Sequence, residues 1–308
     1  NGIMLLPLLR AIRASRPESE IHLLIHHPIA SLFQVTTGGI IDKILPYNQS
    51  HLMQRPWRYL ALLNQIRRKH FDVLITAHNP DNFSLSQAIF GRLCQPQWLI
   101  GFDARDSARF YNIAVKSTTE KLYADAMIDL WRSIDAQATF NFSGLAVPAH
   151  LKTTACEKYP QYRDGGILIW LGATGNKVLP GEIFAYLYEQ VKKHSDLPIH
   201  FAAGPADETF LHQYPKWIFE KTVMWKEPLL ETAAFFSLFS HFISGDTGPM
   251  HLAAALQLKT LTIFVDSNIQ QYGYHDENKH FALQWQNSPN DRKRLNRYLK
   301  LMFEKRDA

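Results

Sequence analysis

Residues 244–256, SGDTGPMHLAAAL, place an acidic, glycine-containing turn directly before an apolar run that favours a helix. Asp246 or Thr247 can cap that helix. Gly248 has no side chain, so a ligand can approach the backbone closely there. The unpaired N–H groups of the first turn and the positive end of the helix dipole favour an anion, and His251 lies a little further along. Together the four residues indicate either a helix cap or, as we favour, a pocket for a phosphorylated ligand.

A second candidate segment, residues 170–180 (WLGATGNKVLP), ends an apolar strand in a loop of small residues that contains Lys177. Free backbone N–H groups and one cation can hold phosphate oxygens. The segment matches neither a Walker loop nor the dinucleotide fingerprint, so a polar connection explains it equally well. Glu231 lies near the start of another helix pattern, where the helix dipole already favours a carboxylate. From chemistry alone, Glu231 indicates a helix start rather than a ribose contact.

Two loops in the first half follow strand patterns and carry polar side chains. HNPDNFS, residues 78–84, contains Asp81 and ends a strand that we expect to be buried. Because ligands of open α/β sheets gather at the carboxyl ends of strands, this loop is expected to line a binding cleft. GFDARDSARFYN, residues 101–112, contributes Asp103 and Arg105. These two side chains can bind an acidic acceptor or belong to a solvated surface loop.

Strand and helix patterns alternate along the chain, which predicts parallel sheets with crossover helices, since parallel neighbours need a long return path. Residues 140–165 are rich in Pro, Gly, Lys and Tyr and show little periodicity, so we expect an interdomain connection there. The prediction is two doubly wound α/β domains, residues 1–150 and 151–308. The chain enters a helical pattern at once, so the first strand of the N-terminal domain is expected to be missing. Residues 291–306 predict a basic C-terminal helix with a solvated face.

The composition limits the classes of function. Of 308 residues, 46% are apolar and 20% charged, which is typical of a soluble globular protein. A net charge of +5 favours anionic partners such as sugar nucleotides or lipid head groups. No zinc-finger spacing or RNA-binding aromatic signature accompanies the basic residues, so nucleic acid is not an expected partner. Only two cysteines, Cys94 and Cys156, argue against a disulfide framework and favour a reducing compartment. The sequence shows no membrane span, signal peptide or metal-site spacing.

Residues 242–264, FISGDTGPMHLAAALQLKTLTIF, resemble the hallmark segment of the heptosyltransferase-type glycosyltransferases, the family 9 enzymes of lipopolysaccharide core assembly. LLPLLRAIRASRPESEIHLL is similar to the family's first helix and second strand, and GATGNKVLP to its lysine-containing loop. The likeness extends over nearly the whole chain. It implies the GT-B fold, in which two Rossmann-like, doubly wound parallel-sheet domains face a cleft.

The resemblance also implies an activity. Such an enzyme is an inverting, metal-independent glycosyltransferase that moves a heptose-like sugar from an ADP-sugar, usually ADP-heptose, or another nucleoside diphosphate sugar. The acceptor is a lipopolysaccharide-core-type or other saccharide, which is often lipid-linked, and no cofactor beyond the donor is implied. The donor would lie against the C-terminal domain and the acceptor against the N-terminal domain. The family works in the cytoplasm of Gram-negative bacteria, so a peripheral contact with the inner membrane is expected as well.

The same resemblance implies a set of donor-binding residues, namely Thr174, Lys177, Glu231, Asp246, Thr247, Gly248 and His251. Lys177 would neutralise the diphosphate as it leaves, helped by Thr174, and Glu231 would hold the ribose. Asp246 would act with Lys177 in catalysis. The residues that would contact the acceptor are Asp81, Asp103 and Arg105.

The chain departs from the family pattern at the position of the general base. Where the family has an aspartate, this chain has Asn1, and an amide cannot accept the acceptor's proton as a carboxylate does. Either Asp81 or Asp103 is the base, or Asn1 is an altered residue, or the chain is a degenerate, non-catalytic member that binds a nucleotide sugar or a partner. A sugar-nucleotide epimerase is a further alternative, which the hallmark segment favours less. Residues 266–280, DSNIQQYGYHDENKH, also replace the family's usual T-x-P loop.

Overall fold

The computed structural model describes residues 2–48, 55–142, 144–173, 175–276 and 278–304. The chain divides into two compact units, Asn1–Phe142 and Ser143–Ala308. This division falls earlier than the expected boundary after residue 150. The first helix of the second unit begins at Ala149, so the expected boundary would have cut through that helix.

In the first unit short strands alternate with helices, as the sequence patterns predict. Proline in the first turn begins each of the first three helices, where a missing N–H group costs nothing. The helices of this unit are α1 (Leu6–Ser15), α2 (His27–Thr36), α3 (Pro56–Arg67), α4 (Leu85–Leu93) and α5 (Tyr123–Arg132). Its strands are β1 (His22–His26), β2 (Lys43–Tyr47), β3 (Val73–Thr76), β4 (Trp98–Phe102) and β5 (Ile113–Val115).

The strands of the first unit form two parallel sheets. β1 pairs with β2, and β4 lies between β3 and β5. Helix α3 packs across both sheets, because its buried Leu63 and Ile66 belong to a cluster that Leu24 of β1 and Leu74 of β3 also contact. Residues 73–75 of β3 are half-buried rather than buried as expected, since β3 lies at the edge of its sheet.

The second unit repeats the alternation. Its helices are α6 (Ala149–Lys158), α7 (Gly181–His194), α8 (Lys216–Phe219), α9 (Leu229–Phe236), α10 (Gly248–Ala255), α11 (Ile269–Tyr272) and α12 (Pro289–Phe303). Its strands are β6 (Ile167–Trp170), β7 (Ile199–Ala203), β8 (Thr222–Met224), β9 (His241–Gly245), β10 (Lys259–Phe264) and β11 (His280–Gln284). The predicted basic C-terminal helix is α12, which buries Leu295, Leu299 and Met302 against the sheet.

The strands of the second unit form one parallel sheet in the order β11-β10-β9-β6-β7-β8. Counted from β6, this is the doubly wound Rossmann order, which reverses direction between β6 and β9. These two central strands are buried along their whole length, which explains their continuous apolar sequences. The reversal point is where ligands of such sheets bind, outside the carboxyl ends of the strands.

Residues 140–165 were expected to be an irregular connection, and this expectation is wrong for residues 149–158, which form helix α6. Along this helix only Ala155 is buried, so most of its surface faces solvent. A helix that buries so little leaves no apolar periodicity in the sequence.

Candidate functional site

The loops that follow β6 and β9 carry the two strongest candidate segments, and both lie at the reversal point of the second sheet. The loop after β6 leads through a short 3₁₀ turn, Gly175–Lys177, into α7. The turn after β9 contains Asp246 and Thr247 and leads directly into α10. Because β6 and β9 are parallel neighbours, both loops leave the sheet at the same edge.

Lys177 and Asp246 form an ion pair at this edge. The Lys177 Nζ atom donates a hydrogen bond of 2.6 Å to Asp246 Oδ2. The Asp246 side chain is only 5% exposed, whereas that of Lys177 is 37% exposed. Lys177 Nζ also lies 5.5 Å from the ring centroid of Tyr272, a cation–π distance. The cation is therefore held on one side by protein and is open to solvent on the other.

Helix α10 begins without the side-chain cap that the sequence predicts. Thr247 occupies the N-cap position, but its side chain makes no capping hydrogen bond within the described residues, and the Asp246 carboxylate pairs with Lys177 instead. Gly248 is exposed, and a Cβ atom placed on it would have no atom within 4 Å. An uncapped helix start with open space beside it favours an incoming anion.

His251 lies on α10 and is buried beside Tyr274. Its Nδ1 atom is 3.0 Å from the Tyr274 hydroxyl. Burial lowers the pKa of His251 to about 4, so its ring is neutral at pH 7. Burial also raises the pKa of the Tyr274 hydroxyl, which remains protonated. A neutral imidazole adds no positive charge to the site and can act only through hydrogen bonds.

Asp207 is a buried residue of this site that the sequence analysis missed. Its Oδ2 atom accepts a hydrogen bond of 2.7 Å from the Gly204 N–H group, and the carboxylate also accepts one from Ala173. Burial raises the pKa of Asp207, and the two backbone bonds oppose that rise. The carboxylate thus ties the loop after β7 to the loop that carries Lys177. The available sequence signal was an aspartate three residues after Gly204 and two after Pro205, a position from which its carboxylate can reach back to the Gly204 N–H group.

Glu231 is not brought together with Lys177 and Asp246. It lies in the first turn of α9, after β8, and its Oε2 atom accepts a hydrogen bond of 2.9 Å from Lys158. Lys158 bonds Glu227 as well, and these hydrogen bonds raise the pKa of the lysine. β8 is separated from β9 by β7 and β6, which corresponds to about 14 Å at ordinary strand spacing.

The three acceptor candidates lie in the first unit, on the loops after β3 and β4. The Asn79 side chain accepts a hydrogen bond from the Asp81 N–H group, which shapes the first loop. In the second loop, Asp103 accepts one from the Ala108 N–H group. Arg105 donates a hydrogen bond of 3.3 Å to the side chain of Asn82, so the structure brings the two loops together.

Two predicted residues, Asn1 and Thr174, lie outside the described residues.

Across the part of the chain that the structure describes, no group of three or more His, Cys, Asp or Glu side chains has a metal-binding arrangement. In the same part, no helix has the length and apolar character needed to cross a membrane.

Comparison with known families gives one match. The model of glycosyltransferase family 9 (heptosyltransferase) matches residues 59–301, which include every described candidate residue. No curated protein sequence matches the chain significantly.

Several solved structures are similar to this chain. A family 9 glycosyl transferase from Veillonella parvula superposes with a TM-score of 0.71 at 18% identity, covering 92% of this chain and 81% of that one. The ADP-heptose lipopolysaccharide heptosyltransferase II of E. coli gives 0.69 at 14% identity, with coverages of 97% and 94%. The E. coli heptosyltransferase WaaC, solved with ADP-2-deoxy-2-fluoro heptose, gives 0.63 at 16% identity, with coverages of 94% and 90%. At these identities the likeness establishes the fold, and the predicted GT-B fold is confirmed.

Proposed function

Because the chain belongs to glycosyltransferase family 9, the heptosyltransferase family, we propose that it transfers a heptose-like sugar from an ADP- or other nucleoside diphosphate sugar to a saccharide acceptor. The reaction inverts the anomeric carbon and uses neither a metal ion nor a cofactor beyond the donor. The acceptor is of the lipopolysaccharide-core type and is lipid-linked. The chain acts at the cytoplasmic face of the inner membrane of a Gram-negative cell.

The observation that carries this proposal is the Lys177–Asp246 pair at the reversal point of the second sheet. It stands beside the uncapped start of α10 and the exposed Gly248, so a cation and the positive end of a helix dipole are available to the same anion. WaaC has been solved with ADP and with an ADP-sugar analogue, and it shares the fold of this chain. A nucleotide diphosphate is therefore the donor group proposed for this edge.

The chemistry follows from these positions. An acceptor hydroxyl attacks the anomeric carbon from the face opposite the diphosphate, and the bond to the diphosphate oxygen breaks with both electrons going to the diphosphate. Lys177 stabilises the negative charge that develops there, and the Gly248 end of α10 adds the helix dipole. Asp246 holds the lysine in place, and Thr247 and His251 line the same opening. Thr174 is proposed to assist Lys177.

The acceptor is proposed to bind the first unit at the loops of Asp81, Asp103 and Arg105. Arg105 supplies a cation for an acidic sugar, and the two carboxylates are the candidate general bases, since Asn1 cannot take the proton. Glu231 is proposed to bind the donor ribose. Its Oε2 atom accepts a hydrogen bond from Lys158, so the ribose hydroxyls would bind its other oxygen or take the place of the lysine.

The test compares Lys177→Ala and Asp246→Ala with the native chain. Nucleotide sugars are first ranked by the rise in melting temperature that each causes, because binding to the native state raises it. Transfer to an inner-core lipopolysaccharide acceptor is then measured with the best donor. Either substitution should lower kcat by roughly 10²–10³-fold, the usual cost of losing one preorganised charge in a transition state.

Lys192→Ala provides the matched control. The Lys192 Nζ atom also lies 5.5 Å from an aromatic ring centroid, that of Tyr188, but it pairs with no carboxylate among the described residues. This variant should keep full activity. Native activity in Lys177→Ala would refute the proposed role of the ion pair.

A second candidate function is nucleotide-sugar binding without turnover. The observation that favours it is Asn1 at the position where the family has its base. If it holds, the native chain binds a donor but consumes none across the panel, and Asn1→Asp gains activity. Turnover by the native chain that is lost in Asp81→Asn or Asp103→Asn excludes it.

A further inference from the structure

Two neighbouring helices of the first unit expose large apolar side chains to solvent. These are Trp57 and Leu60 on α3, at 63% and 60% exposure, and Leu85, Ile89 and Leu93 on α4, at 49%, 45% and 44%. We call these five residues the α3–α4 surface. Single exposed apolar residues are ordinary, but a group of this kind marks an interaction site.

The five residues belong to one continuous part of the fold. Helices α3 and α4 pack together, since the rings of Tyr59 and Phe90 lie 4.9 Å apart. On α4 the exposed residues repeat every fourth position and therefore form one stripe along the helix. The inner sides of both helices are used by the core, as buried Leu63 and Cys94 show. The exposed stripe is thus additional to the residues that the fold needs.

Basic residues surround this apolar surface. Residues 55–71 contain five Lys or Arg and no Asp or Glu, and residues 82–102 contain Arg92 and no acidic residue. Three of these basic residues are already engaged, since Arg67 donates to Gln95, Arg92 donates to the Phe110 carbonyl and Lys69 pairs with Glu20. The other three, Arg55, Arg58 and Arg68, have no side-chain hydrogen bond or ion pair within the described part of the chain. All three are exposed.

Two of these arginines are placed where the helix itself does not favour them. Arg55 is the N-cap residue of α3 and Arg58 lies in its first turn, where the helix dipole disfavours a cation, and this turn contains no acidic residue. Further along α3, Asn64, Gln65 and Arg68 line a shallow depression of about 460 Å³ together with Lys69. An anionic head group placed there would meet cations and amide donors.

We propose that the α3–α4 surface docks on the surface of an anionic lipid bilayer. Apolar and aromatic side chains enter the boundary between head groups and acyl chains, while flanking Lys and Arg pair with lipid phosphates. The pairing of a second copy through the same surface is disfavoured, because it would bring two surfaces of the same positive charge together. A nucleic acid would leave the apolar stripe unused. This inference rests on the location at the inner membrane given under the proposed function, and deepens it by naming the surface that makes the contact. It does not depend on the transfer reaction, which is tested separately.

The experiment measures co-sedimentation of the full chain with vesicles, without donor or acceptor, so that its result is independent of glycosyl transfer. One set contains phosphatidylglycerol and phosphatidylethanolamine, and the other contains phosphatidylcholine alone. The native chain should partition at least about tenfold more strongly onto the anionic vesicles, and added salt should weaken this binding. Arg55→Glu/Arg58→Glu/Arg68→Glu should abolish the preference, and Leu60→Ser/Ile89→Ser should lower binding about tenfold to both kinds of vesicle.

Matched substitutions in the second unit serve as controls. Lys152→Glu/Lys193→Glu changes exposed cations elsewhere, and Phe219→Ser removes an aromatic side chain of 49% exposure, so both should bind as the native chain does. Circular dichroism confirms that each variant is folded. Equal partitioning of the native chain onto both vesicles, or equal losses in the controls, would overturn the proposal. So would a dimer in sedimentation equilibrium that Leu60→Ser/Ile89→Ser dissociates, since the surface would then serve self-association.

Discussion

Lys177 and Asp246 neutralise each other, because the lysine ammonium group pairs with the carboxylate. Asp246 is almost fully buried, and a buried charge is tolerated when it is paired. The exposed side of Lys177 faces solvent, and the ring of Tyr272 fixes its direction. A diphosphate can approach that open side without breaking the ion pair. The lysine is thereby preorganised for charge that appears only when the donor bond breaks.

Gly248→Ala separates the ligand-binding role of the α10 start from its structural role. The added Cβ meets no protein atom within 4 Å, and alanine is the better helix former, so the free energy of unfolding should stay unchanged or rise by up to about 1 kcal/mol. The same methyl group fills the space through which a phosphate reaches the backbone. Donor affinity should therefore fall at least about tenfold, as measured by calorimetric titration.

Gly38→Ala in the first unit gives the opposite expectation. Its Cβ also has open space, but the backbone has a φ of +64°, which an alanine adopts only with strain. Stability should fall by about 1 kcal/mol while donor affinity stays unchanged. If Gly248→Ala leaves donor affinity at the native value, the anion does not bind at this helix start.

At the scale of elements, the site depends on loops that are tied to one another. Asp207 bonds the backbone of Gly204 after β7 and of Ala173 after β6. The approach is so close that a Cβ atom on Gly172 would lie 1.8 Å from Asp207 Oδ2, so that position requires glycine. The carboxylate thus fixes the course of the loop that ends at Lys177.

Asp207→Asn should loosen this loop. The amide keeps one acceptor oxygen but presents an N–H group where the carboxylate accepted a backbone N–H. The free energy of unfolding should fall by about 2 kcal/mol, which is typical for a lost hydrogen bond to a charged group. The KM for the donor should also change, and should rise, because the loop that carries Lys177 is then less firmly fixed. Asp196→Asn, an exposed change in the same unit, should alter neither quantity.

At the scale of the whole molecule, the alternation of strand and helix patterns was enough to predict the α/β fold. The polar and glycine residues that follow two apolar strands were enough to select the segments that contain Lys177 and Asp246 as candidates. Helix α2 was not predicted, because it follows β1 with no loop between them and Pro28 in its first turn is a weak start signal on its own. Helix α6 was missed because it buries little. The contacts of Asp207 with Ala173, of Tyr272 with Lys177 and of Tyr274 with His251 could not be predicted, because they join residues that are distant in sequence. The position of Glu231 near a helix start could be predicted from the neighbouring sequence. Its ion pair with Lys158 could not, because Lys158 lies 73 residues away in sequence.

Among its described residues the second unit has three buried histidines, and these make the unit less stable in acid. His241, His251 and His280 each have a pKa lowered to about 4 by burial, against 6.5 in an exposed histidine. Between these values the unfolded chain binds more protons than the folded one, so stability falls as the pH drops from about 6.5 towards 4. Each histidine contributes a slope of about 1.4 kcal/mol per pH unit in that window.

Amide hydrogen exchange of β9, β10 and β11, corrected for the intrinsic rate, measures this loss of stability from pH 7 to pH 4.5. Protection should decline steeply below pH 6.5. Replacing His280 by glutamine should make the fall of stability with pH less steep by about 1.4 kcal/mol per pH unit, because this variant lacks one of the groups that take up a proton on unfolding. The exposed His150→Gln should leave the slope unchanged. A protection that stays constant down to pH 4.5 would mean that the buried histidines take up their protons in the folded chain.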